Sequence, residues 1–189
     1  MDKMRILGIS GSLRKGSFNT AALRAAVALL PENVEMEVIT LGDLPLFNQD
    51  LELDLPVNVR DFKVKIKAAD ALLISSPEYN YSISGVLKNA IDWGSRPRGN
   101  NSFDAKPGAI LGASSGRFGT ARAYYDLHKI CSGLNILLMN YPQILISDGK
   151  KKFDESGKLI DQETSDKLKI FVDALVEWTG KLKAAGLAK

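Results

Sequence analysis

The stretch Met4–Leu30, MRILGISGSLRKGSFNTAALRAAVALL, decides how the rest of the chain is read. Its first seven residues form an apolar run of strand length, suited to burial on both faces. Asn19 to Leu30 is rich in alanine and leucine and reads as a helix. Between them lies a loop of glycines, serines and two cations. Strand, small-residue loop and helix together make the first half of a parallel crossover unit, so the pattern should repeat.

It does. Val34 to Leu41 reads as a second strand and, after an irregular stretch around Pro45 and Pro56, Val57 to Ala69 places Phe62, Ile66 and Ala69 on one helical face. Ala71 to Ser75 is a third strand. Ile83, Val86, Leu87, Ala90 and Ile91 form one helix stripe ending near Trp93-Gly94. Gly108 to Ala113 is a fourth strand, Thr120 to Leu134 a helix, and Ile136 to Met139 opens a fifth strand that Tyr141-Pro142 interrupts and Ile144 to Ile146 resumes. From Thr164 to Lys183, Leu168, Phe171, Val172, Leu175, Trp178 and Leu182 share a face that should dock on the sheet. Strand ends recur about every 30 to 40 residues, the size of a strand plus crossover helix. The expectation is a three-layer α/β domain with helices on both faces of a parallel sheet.

The composition fits one domain spanning 1–189. At 189 residues the chain can bury about two thirds of its unfolded surface. Its 45% hydrophobic and 25% charged content is that of an ordinary globular protein, without repeats or biased tracts. One cysteine, Cys131, rules out an intramolecular disulfide framework, and with one histidine, His128, it leaves too few ligands for a zinc or iron-sulfur site, so no metal is expected. The N-terminal apolar run is too short for a signal peptide and no stretch reaches membrane-span length, so a cytoplasmic protein without membrane insertion is expected. The net charge is +3, and the lysine clusters 63/65/67 and 150–152 lack interleaved aromatics. They read as solvated faces, not a nucleic-acid surface.

In sheets of this kind ligands sit beyond the carboxyl ends of the strands, which singles out the loops after strands one, three and four. In SGSLRKGSFN, the glycines permit a tight turn while Ser10, Ser12, Ser17 and Thr20 offer hydroxyls beside a helix start. Arg14 adds a charge-assisted contact. These are the parts of a phosphate site, and equally of a serine-rich turn with an ordinary helix cap. The absence of a GK[ST] ending argues against a nucleoside triphosphatase. In PEYNYS, residues 77–82, Asn80 and the backbone can hydrogen-bond the edge of a flat heterocycle beside Tyr79 and Tyr81, or the rings can pack at the sheet rim. SSGRFG, residues 114–119, is a third glycine-bearing loop that passes the same region.

Taken in order, GSLRKGSFN, PEYNYSISGVLKNAIDW and SSGRFGTARA resemble the NADPH-dependent FMN reductase family, within it the quinone and chromate reductase branch, over Met4 to about Trp178. The resemblance implies a flavodoxin-like fold, with a five-stranded parallel sheet in the order 2-1-3-4-5, and noncovalently bound FMN. Carried over by position, Ser10, Ser12, Arg14, Ser17, Phe18 and Asn19 would surround the FMN phosphate. Pro77, Glu78, Tyr79, Asn80 and Tyr81 would line the isoalloxazine ring, with Ser114, Ser115 and Gly116 near its other edge and Arg117 placed for the ring or an incoming nicotinamide nucleotide. The chain departs from the branch at Ser84, where proline is usual, and at Thr120, where a second glycine is common.

The implied activity is ping-pong hydride transfer from NAD(P)H to FMN and on to quinones or similar acceptors, including free flavin, azo compounds, chromate and ferric species. The flavin carries the chemistry, so no side chain is assigned as acid, base or nucleophile; His128 and Cys131 read as structural, Trp93 as a packing or subunit-contact residue. The alternative is a flavodoxin-type electron carrier passing electrons to a protein partner. Such carriers are strongly acidic, whereas this chain has a pI near 8.9, which favours the reductase. Family likeness also implies a homodimer or homotetramer.

Overall fold

The computed structural model describes residues 3–189. Seven-residue β1 (Met4–Ser10) leads through the first loop into α1 (Phe18–Ala28), followed by β2 (Val34–Thr40), α2 (Val57–Ala68), β3 (Ala71–Ser75) and α3 (Gly85–Ser95). Then come β4 (Pro107–Ala113), α4 (Ala121–Gly133), β5 (Leu137–Leu138), β6 (Ile144–Ile146), the short α5 (Gly149–Lys152) and α6 (Gln162–Ala184). All strand pairings are parallel and the order is β2-β1-β3-β4-β5, with β6 also paired to β4. β5 lies against Pro107-Gly108 and β6 against Leu111–Ala113, so the two are halves of one fifth strand, broken around Tyr141-Pro142 as expected.

The strands alternate between two cores. Ala71 and Leu73 of β3 and Ala109, Leu111 and Ala113 of β4 face α1 and α6, against Leu23, Leu168, Phe171 and Leu175. Leu72, Ile74 and Ile110 face the opposite layer, against Phe62 and Ile66 of α2, Leu87 and Ile91 of α3, and Leu127 and Cys131 of α4. Apolar burial on both faces is what made the central strands read as continuous apolar runs. Trp178 of α6 is half-buried and its indole N–H donates to Leu137 O at 2.8 Å, fastening the helix to the short β5.

One expectation about charge is overturned. Lys63 does not belong to a solvated face: it is buried, and its ammonium donates to Gly94 O, Arg96 O and Asn100 O at 3.0, 2.6 and 2.9 Å. These carbonyls lie at and just beyond the C-terminal end of α3, where backbone acceptors lack helical partners and a cation is favoured. Burial, together with the Lys67 charge, pushes Lys63 down to about 8. Lys106 does the same for α2, donating to Lys67 O and Ala69 O at 2.8 and 2.6 Å, with its own value lowered by burial. Among the described residues no helix is long and apolar enough to cross a membrane, and no cluster of histidine, cysteine and acidic side chains could hold a metal ion.

Candidate active site

β1 delivers the first loop to the carboxyl edge of the sheet, and the loop is braced from beneath. Ser10 is fully buried, its hydroxyl 2.8 Å from Thr20 Oγ1 and accepting from Ser12 N–H at 3.4 Å. Its side chain therefore braces the loop from behind. Asn19 braces the loop in the same way. Its carboxamide donates to Ala113 O at 2.9 Å and accepts from Ala113 N–H and the Ser75 hydroxyl, each at 3.0 Å.

Gly11 shows why glycine stands at the mouth of β1. Its N–H donates to Ser75 O at 2.7 Å, and a Cβ would stand 3.1 Å from that oxygen and 3.2 Å from Leu87. Its carbonyl accepts from the buried Ser84 hydroxyl at 2.5 Å, while Ser84 Oγ also accepts from Leu87 N–H at 3.4 Å as the N-cap of α3. The departure at Ser84 thus has a function that proline cannot perform: it ties the first loop to α3.

On the upper side of the loop, Ser17 caps α1, its hydroxyl accepting from Thr20 N–H at 3.3 Å. The first amides of the helix, Phe18 and Asn19, have no carbonyl one turn back to bind and carry the positive end of the helix dipole. Arg14 is exposed, with its guanidinium 5.8 Å from the centre of the Phe18 ring. Hydroxyls, helix amides and a guanidinium converge here on one small region suited to an anion.

The loop after β3 is a tight hairpin. Tyr79 and Ser82 exchange backbone hydrogen bonds of 3.0 and 3.1 Å, and Asn80 and Tyr81 both have left-handed backbones, with φ of 51° and 71°. Asparagine accepts that conformation; tyrosine adopts it at a cost of about 1 kcal/mol. Tyr79 and Tyr81 are exposed. Glu78 turns away from the hairpin: Oε2 accepts from Arg122 N–H at 3.0 Å and Ala123 N–H at 3.4 Å, and Oε1 from Arg122 Nε at 2.5 Å. Its carboxylate caps α4.

Sequence reasoning missed Arg122, which lies 4.1 Å from the centre of the Tyr81 ring and 5.4 Å from that of Phe118, between the hairpin and the loop after β4. Its only signal was the ARA run at a helix start. In the loop after β4, Ser115, Gly116 and Arg117 are exposed and Ser114 is half-buried, its N–H donating to Ile146 O at 2.9 Å. Thr120 takes the glycine-like φ of 72°, and its side chain fills the space above Gly112, where a Cβ would fall 1.7 Å from Thr120 Oγ1. The backbone bend of a second glycine is present here with a threonine in it.

One cleft joins Ser12, Arg14 and Ser17–Asn19 to Pro77–Tyr79 and Ala113–Ser115. Asn80, Tyr81, Gly116 and Arg117 stand outside that lining, on the rim formed by their loops. A flat heterocycle carrying a terminal phosphate fits this donor set: anion donors at one end, tyrosines and backbone amides at the other, with the nearest acid committed to α4. Residues 4–151 match the sequence profile of the NADPH-dependent FMN reductases.

The chain belongs to that family.

It is 46% identical to an NAD(P)H-dependent FMN reductase of Pseudomonas aeruginosa, over 96% of this chain and 98% of the relative. A 2-hydroxy-1,4-benzoquinone reductase of a Burkholderia species is 42% identical, with 93% and 96% covered. Among solved structures, the flavoenzyme NAD(P)H:(acceptor) oxidoreductase FerB of Paracoccus denitrificans superposes with a TM-score of 0.88 at 36% identity, covering 94% of this chain and 98% of its own. The flavodoxin-like fold is therefore shared with a flavoenzyme that aligns over nearly its whole length. As a member of this family the chain is an NAD(P)H-dependent flavin enzyme with FMN as cofactor.

Cys131, His128 and Trp93 are not among the residues lining the cleft. Cys131 is buried, and burial pushes its thiol up to about 12. His128 Nε2 lies 2.9 Å from Asn140 Oδ1. Trp93 is buried, its indole N–H donating to Pro45 O at 2.8 Å.

Proposed function

We propose that this protein reduces quinones and similar small acceptors with NAD(P)H by a ping-pong sequence, the nucleotide leaving before the acceptor enters. The observation that carries this reading is the cleft itself, where Ser12, Ser17, Arg14 and the α1 amides face the same space as the hairpin at Tyr79. Bound FMN would supply the hydride-accepting and electron-donating chemistry. Ser12 and Ser17 hydroxyls, the Phe18 and Asn19 amides and Arg14 would hold its phosphate, with Ser10 and the Asn19 carboxamide fixing the loop beneath.

Pro77–Tyr81 would border one side of the ring system, with Asn80 and backbone amides as hydrogen-bond partners, and Ser114, Ser115 and Gly116 would border the other. Arg117, exposed at the rim, is suited to the incoming nucleotide. Arg122 with Tyr81 and Phe118 would fence the open side, where the exposed aromatic rings suit flat acceptors. No acid or base is assigned, because the exposed ring face is all that both half-reactions need from the protein. Quinones are the first choice of acceptor, in keeping with the named relatives; free flavin, azo compounds, chromate and ferric species are further ones. The enzyme acts in the cytoplasm as a homodimer or homotetramer, which light scattering would count.

Anaerobic stopped-flow mixing of the FMN-loaded protein with NADPH or NADH should bleach the flavin, and a quinone should restore its colour. Steady-state plots at several quinone concentrations should be parallel. Failure of both nucleotides to bleach the flavin would sink the reductase reading; intersecting lines would remove the ping-pong order.

A further inference from the structure

A second cavity of about 320 Å³ lies against the outer side of the first loop and shares Arg14, Ser17 and Phe18 with the flavin cleft. Its volume falls at the lower end of the ~300–1,000 Å³ range of small-ligand pockets. Arg14, Lys15 and Arg24 enter from the loop and α1, and Lys150 from α5. Among the described residues none of these four forms an ion pair, although eleven pairs occur elsewhere. Two acids, Asp154 and Glu155, complete the rim. Asp154 is spent on its own turn, accepting from Ser156 N–H, Ser156 Oγ and Lys158 N–H at 2.9, 2.6 and 2.9 Å, which holds its carboxyl below the usual range.

Four unpaired cations beside a loop that needs one guanidinium and helix amides for a single phosphate exceed what FMN requires. The floor is apolar: Phe18 and Phe153 stack with ring centres 5.6 Å apart. Because Arg14, Ser17 and Phe18 line both cavities, a group in the second would lie beside the same side chains that would hold the terminal phosphate in the first.

We infer that the second cavity receives the adenosine monophosphate half of a flavin dinucleotide, so that the protein binds FAD as well as FMN. The second phosphate would meet Arg14, Arg24 and Lys150, and the adenosine would lie over Phe18 between α1 and the turn at Asp154–Gly157. This rests on the flavin reading of the first cleft.

The test is equilibrium titration of flavin-stripped protein with FMN and with FAD, followed by quenching of flavin fluorescence. Wild type should bind FAD within about threefold of FMN. The double variant Arg24→Ala/Lys150→Ala, altered only at exposed positions, should weaken FAD about tenfold and FMN less than twofold. Glu155→Gln should strengthen FAD about twofold and leave FMN unchanged. Equal effects on both flavins, or binding of FMN without FAD, would overturn the inference while leaving the function intact. So would a cavity that serves the pyridine nucleotide, seen as competition of adenosine 2′,5′-bisphosphate with NADPH on FMN-loaded protein that the double variant abolishes while FAD binding stays equal to wild type. If neither flavin binds, the functional reading itself has failed, and this inference with it.

Discussion

The first loop and the hairpin after β3 border the same cleft but are built in opposite ways. The first rests on buried polar side chains: Ser10, Asn19 and Ser84 each spend their hydrogen bonds on the loop or the strand ends beside it. The hairpin is carried by two backbone hydrogen bonds, stands out into solvent, and holds Tyr81 in a left-handed conformation. A phosphate has one shape and rewards donors fixed in advance, whereas successive partners at an open ring face are better served by a shallow, adaptable border. One end of the cleft is therefore built for retention and the other for exchange.

If that contrast is right, the largest effect comes from beneath the first loop. Asn19→Ala leaves the Ala113 amide, the Ala113 carbonyl and the Ser75 hydroxyl without their partner, costing about 3 kcal/mol. Calorimetry should show melting lowered by roughly 6–12 °C. Arg14→Ala acts above the loop instead. It should weaken FMN binding about 10- to 100-fold while the flavin-free protein melts as wild type does, because a charge-assisted contact of about 1.5–3 kcal/mol is lost only when the phosphate is present.

Ser84→Ala removes a helix cap and the bond to Gly11 O, costing about 1.5 kcal/mol in denaturant titration and loosening flavin binding severalfold. Tyr81→Gly relieves the strained hairpin but gives up the ring beside Arg122, two terms of about 1 kcal/mol each that nearly cancel. Its melting temperature should stay within about 2 °C of wild type while KM for quinones changes. A large loss of stability in Tyr81→Gly, or none in Asn19→Ala, would break the contrast between the two loops.

The strands and helices were legible because burial on both faces writes itself as apolar runs, and even the break at Tyr141-Pro142 was visible. Polar residues in the first loop were harder to read. Ser10 and Asn19 have the chemistry of ligands and the burial of core residues, a combination set by the close approach of β4 and α1 that no local pattern shows. Lys63 was misread for the complementary reason: the acceptors that make its burial possible are backbone carbonyls 31 or more positions away, which no local pattern announces. The hairpin was hidden because its left-handed positions hold Asn80 and Tyr81 where a turn would ordinarily show glycine. Arg122 gained its place from Glu78, 44 residues earlier, and looked like any cation on a helix surface.

The two lysines that close the ends of α2 and α3 have a consequence for chemical footprinting. An amine brought down to about 8 acylates readily once a reagent reaches it, yet Lys63 lies beneath the α3 terminus with all three of its protons donated. In pulse labelling near neutral pH, surface lysines such as Lys65 should react at once, and Lys63 only when that helix end lifts away. Its slow modification would thus clock the opening of the C-terminal end of α3 without a probe being introduced.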